Sequence, residues 1–178
     1  MSTALLVIDV QHALCGGADA CFDHQGVVER INGLGRRARD LGLPVIFVQH
    51  EEPEGDFRPG SEGWQLAPAL QVADGEPRVR KTTPDSFHGT ELDALLRKLG
   101  VTGLVICGMQ TDFCVDTTVR RALAEGYDVV LAGDAHSTLD NRVLRAEQII
   151  AHHNEVFSRM SSFAPRLDVL PSAAVAFD

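Results

Sequence analysis

The stretch GLVICGMQTDFCVDTTVRRALAEGYDVVLAGDAHS, residues 103–137, decides the fold class. Its first seven residues are a continuous apolar run, which is typical of a strand buried on both faces. Residues 112–127 then carry apolar side chains at helical spacing and end near Gly126, and residues 128–137 form a second apolar strand. A strand, a helix and another strand in so short a span indicate a right-handed crossover between parallel strands.

The same alternation continues on both sides of this segment. Further strands are predicted at residues 4–10, 44–50 and 78–81, and further helices at about 27–41, 89–100 and 142–157. The pattern predicts an α/β protein with three αβα layers, in which helices cover both faces of a doubly wound parallel sheet, as one domain over residues 1–178. The tail 161–171 has no clear pattern, and the polar segment 51–77 is predicted to be a long functional loop.

The composition limits the possible functions. A chain of 178 residues with 44% hydrophobic residues is long enough to bury a sizeable core. Its net charge of −9 argues against nucleic acid or an anionic membrane surface as a partner. No apolar run approaches the ~20 residues that cross a membrane. No secretory signal precedes the first strand, so we expect a cytoplasmic protein whose four cysteines, without zinc spacing, are free thiols.

Three chemically active side chains lie where predicted strands end. Asp9 ends the first strand, Lys81 ends the RVRK strand, and Cys114 lies in the first turn of the helix after residues 103–109. Since parallel strands are only ~4.8 Å apart, an acid, an amine and a thiol can meet at this edge. The helix dipole alone is expected to lower the pKa of the thiol from ~8.5 to near 7, and Lys81 is expected to lower it further. The thiolate could then attack a carbonyl, while Asp9 carries the proton and helix N–H groups bind the oxyanion.

Each of these features also has an ordinary explanation. Cys114 can be a small packing residue, Asp9 a cap for the next element, and Lys81 a solvated charge. His136 also ends a strand and is an alternative base for the cysteine. The spacing of the residues alone leaves these interpretations open.

Four segments resemble the isochorismatase-like cysteine hydrolases, which include nicotinamidases and N-carbamoylsarcosine amidases. They are ALLVIDVQ, GLPVIFVQH, KTTPDSFHGTELDALLRKLGVTGLVICGMQTDFCV and TTVRRALAEGYDVVLAGDAHST. The resemblance implies a Rossmann-like, six-stranded parallel sheet and a catalytic triad of Asp9, Lys81 and Cys114. It also implies a non-proline cis peptide at Met109–Gln110 and an oxyanion hole made by the N–H groups of Gln110 and Cys114.

The resemblance implies an enzyme that cleaves a C–N bond of amide, lactam or carbamoyl type in a small molecule, through a thioester and without a cofactor. Family members that hydrolyse the isochorismate vinyl ether do not depend on the cysteine. That activity, and a non-catalytic binding protein, are therefore the alternatives. Nicotinamidases carry an Asp-x-His metal signature after the second strand, which QHEEPEGDF lacks, so we predict no metal. The residues there that could in principle bind one are His50, Glu51, Glu52 and Glu54.

The surroundings of the triad are less sharply specified. The substrate is expected to contact Gln11, Trp64, Phe87, Met109 and Phe113. The family's habit and the length of segment 51–77 predict a homo-oligomer, a dimer or tetramer. The segment itself is either a lid over its own subunit or a contact with a neighbour. Cys15 and Cys21 flank a glycine-rich loop and are expected to be reduced, with redox sensitivity as the alternative.

Overall fold

The computed structural model describes residues 2–17 and 19–177. Its centre is a six-stranded sheet, all parallel, in the order β3-β2-β1-β4-β5-β6. The strands are β1 Ser2–Ile8, β2 Val45–His50, β3 Arg78–Lys81, β4 Val101–Met109, β5 Asp128–Ser137 and β6 Leu167–Leu170. The sheet is wound in both directions from β1 and β4, so the predicted doubly wound α/β class is confirmed. All six carboxyl ends lie at one edge, where ligands bind in such sheets.

In the described part of the chain, five α-helices accompany the sheet: α1 His12–Cys15, α2 His24–Asp40, α3 Leu92–Lys98, α4 Asp116–Glu125 and α5 Ala146–Ser158. The predicted apolar stripe of α2 is buried, from Val27 to Ala38. Gly126 ends α4 in the left-handed conformation, at φ 97°, which glycine adopts without steric cost. Within residues 2–17 and 19–177, no helix has both the length and the apolar character needed to span a membrane.

Two hydrophobic cores form, one on each face of the sheet. Alternate side chains of β1 separate into them: Leu6 and Ile8 join the core that contains α3, α4 and α5, whereas Leu5 and Val7 join the core under α2. This is the three-layer arrangement expected from the sequence. Full burial of each such side chain stabilises the fold by roughly 1.5–3 kcal/mol, so both layers are held firmly against the sheet.

Several local boundaries differ from the sequence expectation. The unassigned tail supplies β6, the edge strand beside β5. Between β4 and α4 the chain makes a π-helical turn, Thr111–Val115, and Cys114 lies in it. The last helix begins at Ala146 rather than at residue 142, because the Asp140 carboxylate accepts a hydrogen bond from the Ala146 N–H at 2.8 Å.

The long segment 51–77 folds back on its own chain. Its backbone is tied to the residues that follow β1: the Ala67 N–H donates to the Val10 carbonyl at 2.9 Å, and Gln65 accepts from the His12 N–H at 2.8 Å. Ala67 and Leu70 are buried against the core under α2. The segment therefore packs on its own subunit, which is one of the two arrangements that the sequence left open.

Candidate active site

Lys81 is the centre of a buried charged cluster at the carboxyl edge of the sheet. Its side chain is 0% exposed and that of Asp9 is 2% exposed. The Lys81 Nζ lies 2.6 Å from Asp9 Oδ2 and donates to Cys114 Sγ at 3.1 Å. It also donates to the Thr83 carbonyl oxygen at 3.1 Å, so the ammonium has one ion-pair partner and two hydrogen-bond acceptors. An ammonium held this way fixes both the carboxylate and the sulfur.

Asp9 reaches this position because the chain turns sharply after β1. Its φ is 49°, in the left-handed region that aspartate tolerates better than most residues. The turn is held by two backbone hydrogen bonds, from the Asp9 N–H to Val48 and from the Gln11 N–H to the Asp9 carbonyl. The Oδ1 of Asp9 is buried and has no hydrogen-bond partner among the described residues. One carboxylate oxygen is therefore available to accept a proton.

The electrostatics of the cluster keep the sulfur protonated. Burial and the neighbouring Asp9 carboxylate raise the pKa of the Cys114 thiol to about 12, against the opposing effect of Lys81. Burial is the largest single effect on Lys81 and depresses its pKa, but the charges of and hydrogen bonds to Asp9 and Cys114 together outweigh it, so the net pKa is raised. The expectation of a thiol pKa near 7 was wrong, because it omitted both burial and the charge of Asp9. The raised pKa values favour a thiol at Cys114 and an ammonium at Lys81.

The cluster opens into a cavity of about 210 Å³. Its apolar wall is formed by Leu14, Phe57, Pro84 and Phe113, and its polar wall by Asp9, His50, Glu52, Gln110 and Cys114. The Met109–Gln110 peptide, directly before the turn that carries Cys114, is cis. A site of this size suits a small molecule, since cavities for drug-sized ligands measure roughly 300–1,000 Å³.

Comparison with known proteins places this arrangement in a family. The model of the Isochorismatase domain matches residues 3–165. This chain belongs to the isochorismatase family. The family resemblance drawn from the sequence is therefore confirmed.

Individual relatives of this isochorismatase-family chain differ in length. A streptothricin hydrolase from Streptomyces noursei is 43% identical over 138 residues, which are 77% of this chain and 50% of that protein. The chain thus spans about half the length of this curated relative. A ureidoacrylate amidohydrolase from Caulobacter vibrioides is 29% identical, with 82% of this chain and 81% of that protein aligned. The solved structure of an isochorismatase from Pseudomonas putida superposes with a TM-score of 0.89 at 31% identity, covering 98% of this chain and 90% of that one.

In this isochorismatase-family chain, one of the five expected substrate contacts lines the cavity. Phe113 forms part of the apolar wall and is 53% exposed. Phe87 instead packs in the core against the Tyr127 ring, at a centroid distance of 5.9 Å. Met109 is fully buried in the core under α2, where its sulfur lies 3.7 Å from that of Cys15. The expectations for Phe87 and Met109 were wrong because both side chains point into the protein rather than into the cavity.

Gln11 and Trp64 hold the site together instead of lining it. The Gln11 amide donates to the carbonyls of His50 and Trp64 and accepts from the His50 N–H, all at 2.9 Å. Because its polar atoms bind backbone, Gln11 locks the end of β2 and the long segment to the end of β1. The Trp64 ring packs under the Arg80 guanidinium, at 5.5 Å from its centroid. Neither side chain reaches the cavity wall, contrary to expectation.

His136 is held away from the role of a base. Its Nδ1 lies 2.9 Å from Thr111 Oγ1, and its Nε2 lies 2.9 Å from the Asn154 side-chain oxygen. Burial lowers the pKa of His136 to about 4, so the ring is neutral. It therefore ties the first residue of the π-helical turn to α5 and positions the turn that carries Cys114.

The acidic residues after β2 do not converge. The Glu51 carboxylate pairs with Arg80, and Glu54 is exposed. Among the residues that the structure describes, no group of three or more histidine, cysteine, aspartate or glutamate side chains is arranged to hold a metal ion. Glu52, His50, Phe57, Leu14 and Pro84 were not among the expected substrate contacts. For His50 and Glu52, the sequence did contain one indication of a place in the cavity, because they lie at or just after the end of a predicted strand.

Cys15 and Cys21 are both unpaired thiols. Burial raises the pKa of each to about 12, and for Cys21 the proximity of Cys15 adds to the effect. Cys107 is fully buried in the core under α2, as its position in an apolar strand predicts.

Proposed function

We propose that this protein is a cysteine hydrolase that cleaves a C–N bond of amide, lactam or carbamoyl type in a small molecule. The observation that carries the proposal is the placement of Lys81 Nζ 2.6 Å from Asp9 and 3.1 Å from Cys114, two residues that both line the cavity. Membership of the isochorismatase family supports it. The names of two relatives, a streptothricin hydrolase and a ureidoacrylate amidohydrolase, support hydrolysis and, in the second case, an amide bond.

The first half of the reaction forms a thioester. The unpartnered oxygen of Asp9 takes the proton of the Cys114 thiol as the sulfur attacks the substrate carbonyl carbon. The electron pair moves onto the carbonyl oxygen, which the N–H groups of Gln110 and Cys114 receive as an oxyanion hole. When the oxyanion collapses, the C–N bond breaks and Asp9 returns the proton to the leaving nitrogen.

The second half releases the acid. Asp9, a carboxylate again, takes a proton from a water molecule that attacks the thioester carbon. The C–S bond breaks, Asp9 gives the proton to the sulfur, and the carboxylic or carbamic acid leaves. Lys81 stays an ammonium throughout and pairs with whichever of the two groups is negative. Loss of one oxyanion donor in such sites costs about 10²–10³ in kcat, so the hole carries a large share of the catalysis.

Mass spectrometry during turnover of a panel of amides, ureas and lactams tests the mechanism. An acyl adduct should appear on Cys114 and be absent in Cys114→Ala, which should also be inactive. Cys15→Ala is the matched control, because it removes a thiol that does not line the cavity. An adduct on another residue, or full activity of Cys114→Ala, would contradict the proposal.

The same variants separate the alternatives. A vinyl-ether hydrolase should tolerate Cys114→Ala but not Asp9→Asn. A non-catalytic binding protein should bind members of the panel and hydrolyse none of them.

We also propose that the protein is a cytoplasmic homo-oligomer, a dimer or tetramer. Sedimentation of a single species near 19.3 kDa, the monomer mass, would exclude the oligomer.

A further inference from the structure

Three residues of the cavity's polar wall, Asp9, His50 and Glu52, present hydrogen-bond acceptors. His50 Nε2 lies 3.3 Å from Glu52 Oε1, and in the neutral ring whose Nε2–H donates to this carboxylate, Nδ1 carries a lone pair. That Nδ1 is buried and has no partner among the described residues. Asp9 Oδ1, on the same wall, is likewise buried and unpartnered. A substrate that fits these atoms must present N–H groups.

The charge of the wall also favours a substrate that presents N–H groups. Two carboxylates line the cavity, Asp9 and Glu52, and among its described lining residues there is no arginine or lysine. Lys81 behind the wall neutralises Asp9. The basic residue beside this wall, Arg80, is paired with Glu51 and stacked on Trp64. The negative charge of Glu52 is therefore left without a cation in the cavity.

The His50 ring and the loop backbone that carries Glu52 are held in place before any substrate arrives. Gln11 clamps the His50 backbone from both sides, through its donated and accepted hydrogen bonds. The Phe57 ring packs edge-on against the His50 ring at a centroid distance of 5.5 Å. The Glu52 N–H donates to the Phe57 carbonyl at 3.1 Å, which closes the loop that carries both residues. Fixed acceptors lose little entropy on binding and so discriminate well between ligands.

We propose that the substrate carries a nitrogen cation, an ammonium or guanidinium group, beside the bond that is cleaved, and that Glu52 and His50 bind it. This inference rests on the proposed function for the bond cleaved, but the charge preference belongs to the cavity itself. Glu52 supplies the counter-charge and His50 Nδ1 accepts one N–H. A substrate with a carboxylate at this place meets only acceptors and is rejected.

Charged thiol reagents measure the preference without any turnover. Aminoethyl methanethiosulfonate is a cation and sulfonatoethyl methanethiosulfonate is an anion, and both form a disulfide with Cys114 and release methanesulfinate. The rates are followed by peptide mapping and divided by the rates with a free small thiol. Removing one charge a few ångströms away in partly exposed surroundings should change each rate about threefold, so Glu52→Gln should lower the cation-to-anion ratio about tenfold. Glu54→Gln, the same change on an exposed residue of the same loop, should leave it unchanged.

A second arm uses amides that differ only in carrying an ammonium, a neutral or a carboxylate group. The ammonium member should have the highest kcat/KM, and Glu52→Gln should remove that advantage. A reagent ratio that is the same in wild type and Glu52→Gln overturns the inference even if neutral amides are hydrolysed. If no amide is cleaved but the ratio falls in Glu52→Gln, the cation preference stands and the proposed hydrolysis fails.

Discussion

Replacing Asp9 with asparagine should make Cys114 more acidic and the enzyme inactive. Lys81 Nζ is 2.6 Å from Asp9 Oδ2 and 3.1 Å from Cys114 Sγ, so the oxygen and the sulfur are at most about 5.7 Å apart, the sum of the two distances. Two negative charges at that separation repel by about 3 kcal/mol at an effective dielectric constant of about 20, which is roughly 2 pK units. The carboxylate destabilises the thiolate, so its removal should lower the thiol pKa from about 12 to near 10 or below.

The assay is a pH titration of the thiolate by its ultraviolet absorbance, with the curve of Cys114→Ser subtracted. Alkylation by iodoacetamide, mapped to Cys114, gives an independent titration. Asp74→Asn is the matched control, since it makes the same chemical change at an exposed site. Turnover of the best amide is measured on the same samples near neutral pH.

The thiol pKa and the turnover of Asp9→Asn must be interpreted together. If Asp9 merely activated the thiol, a variant with more thiolate would be at least as active as the wild type. If Asp9 carries the proton between sulfur, leaving group and water, Asp9→Asn must lose turnover while its thiolate fraction rises. An unchanged or higher thiol pKa in Asp9→Asn would refute the electrostatic argument, and retained turnover would refute the proton-transfer role.

Three further outcomes are expected. Gly108→Ala should destabilise the fold by more than about 3 kcal/mol or prevent folding, because Gly108 has a φ of +119° and a Cβ there would collide with the Ile8 backbone. Gly100→Ala is the control: its Cβ would meet nothing within 4 Å, so it should cost about 1 kcal/mol or slightly more. Denaturant unfolding of both variants measures the difference. His136→Ala should cost about 1–3 kcal/mol of unfolding free energy and lower kcat, because it leaves the buried Thr111 hydroxyl and the half-buried Asn154 side-chain oxygen without their partner, whereas the exposed His152→Ala should do neither. Hydrolysis should survive prolonged EDTA treatment; loss of activity that zinc or iron restores would require the segment after β2 to be reinterpreted as a metal site.

The fold was predictable because its information is local. Apolar runs of strand length alternate with helical periods, and the parallel order then follows from the handedness of the crossovers. The edge strand β6 was not predicted, because its residues are only half-buried and include Asp168. A short strand at an edge has neither the continuous apolar run of a central strand nor a clean alternation.

The proximity of Asp9, Lys81 and Cys114 was predictable for the same reason, because each lies at the end of a recognisable strand or directly after one. The cavity wall was not, since it depends on which way each side chain points. Met109 ends β4 on the face that carries Cys107, and so it joins the core under α2. Phe113 and Cys114 line the cavity from a π-helical turn, whose geometry no helical periodicity specifies. Glu52 and Phe57 come from a polar loop, where the sequence has no period to follow.

The raised pKa of Cys114 fits a nucleophile that is generated only when substrate is present. In the proposed mechanism, moving the proton from sulfur to Asp9 creates the thiolate and removes the carboxylate charge that opposed it. Lys81 then exchanges one anionic partner for the other, from Asp9 at 2.6 Å to Cys114 at 3.1 Å, without moving. The transfer leaves the total charge of the buried cluster constant, so it avoids the large cost of placing a new charge in the protein interior. A thiol that ionised independently of Asp9 would add a second negative charge beside the first, which is why the resting thiol stays protonated.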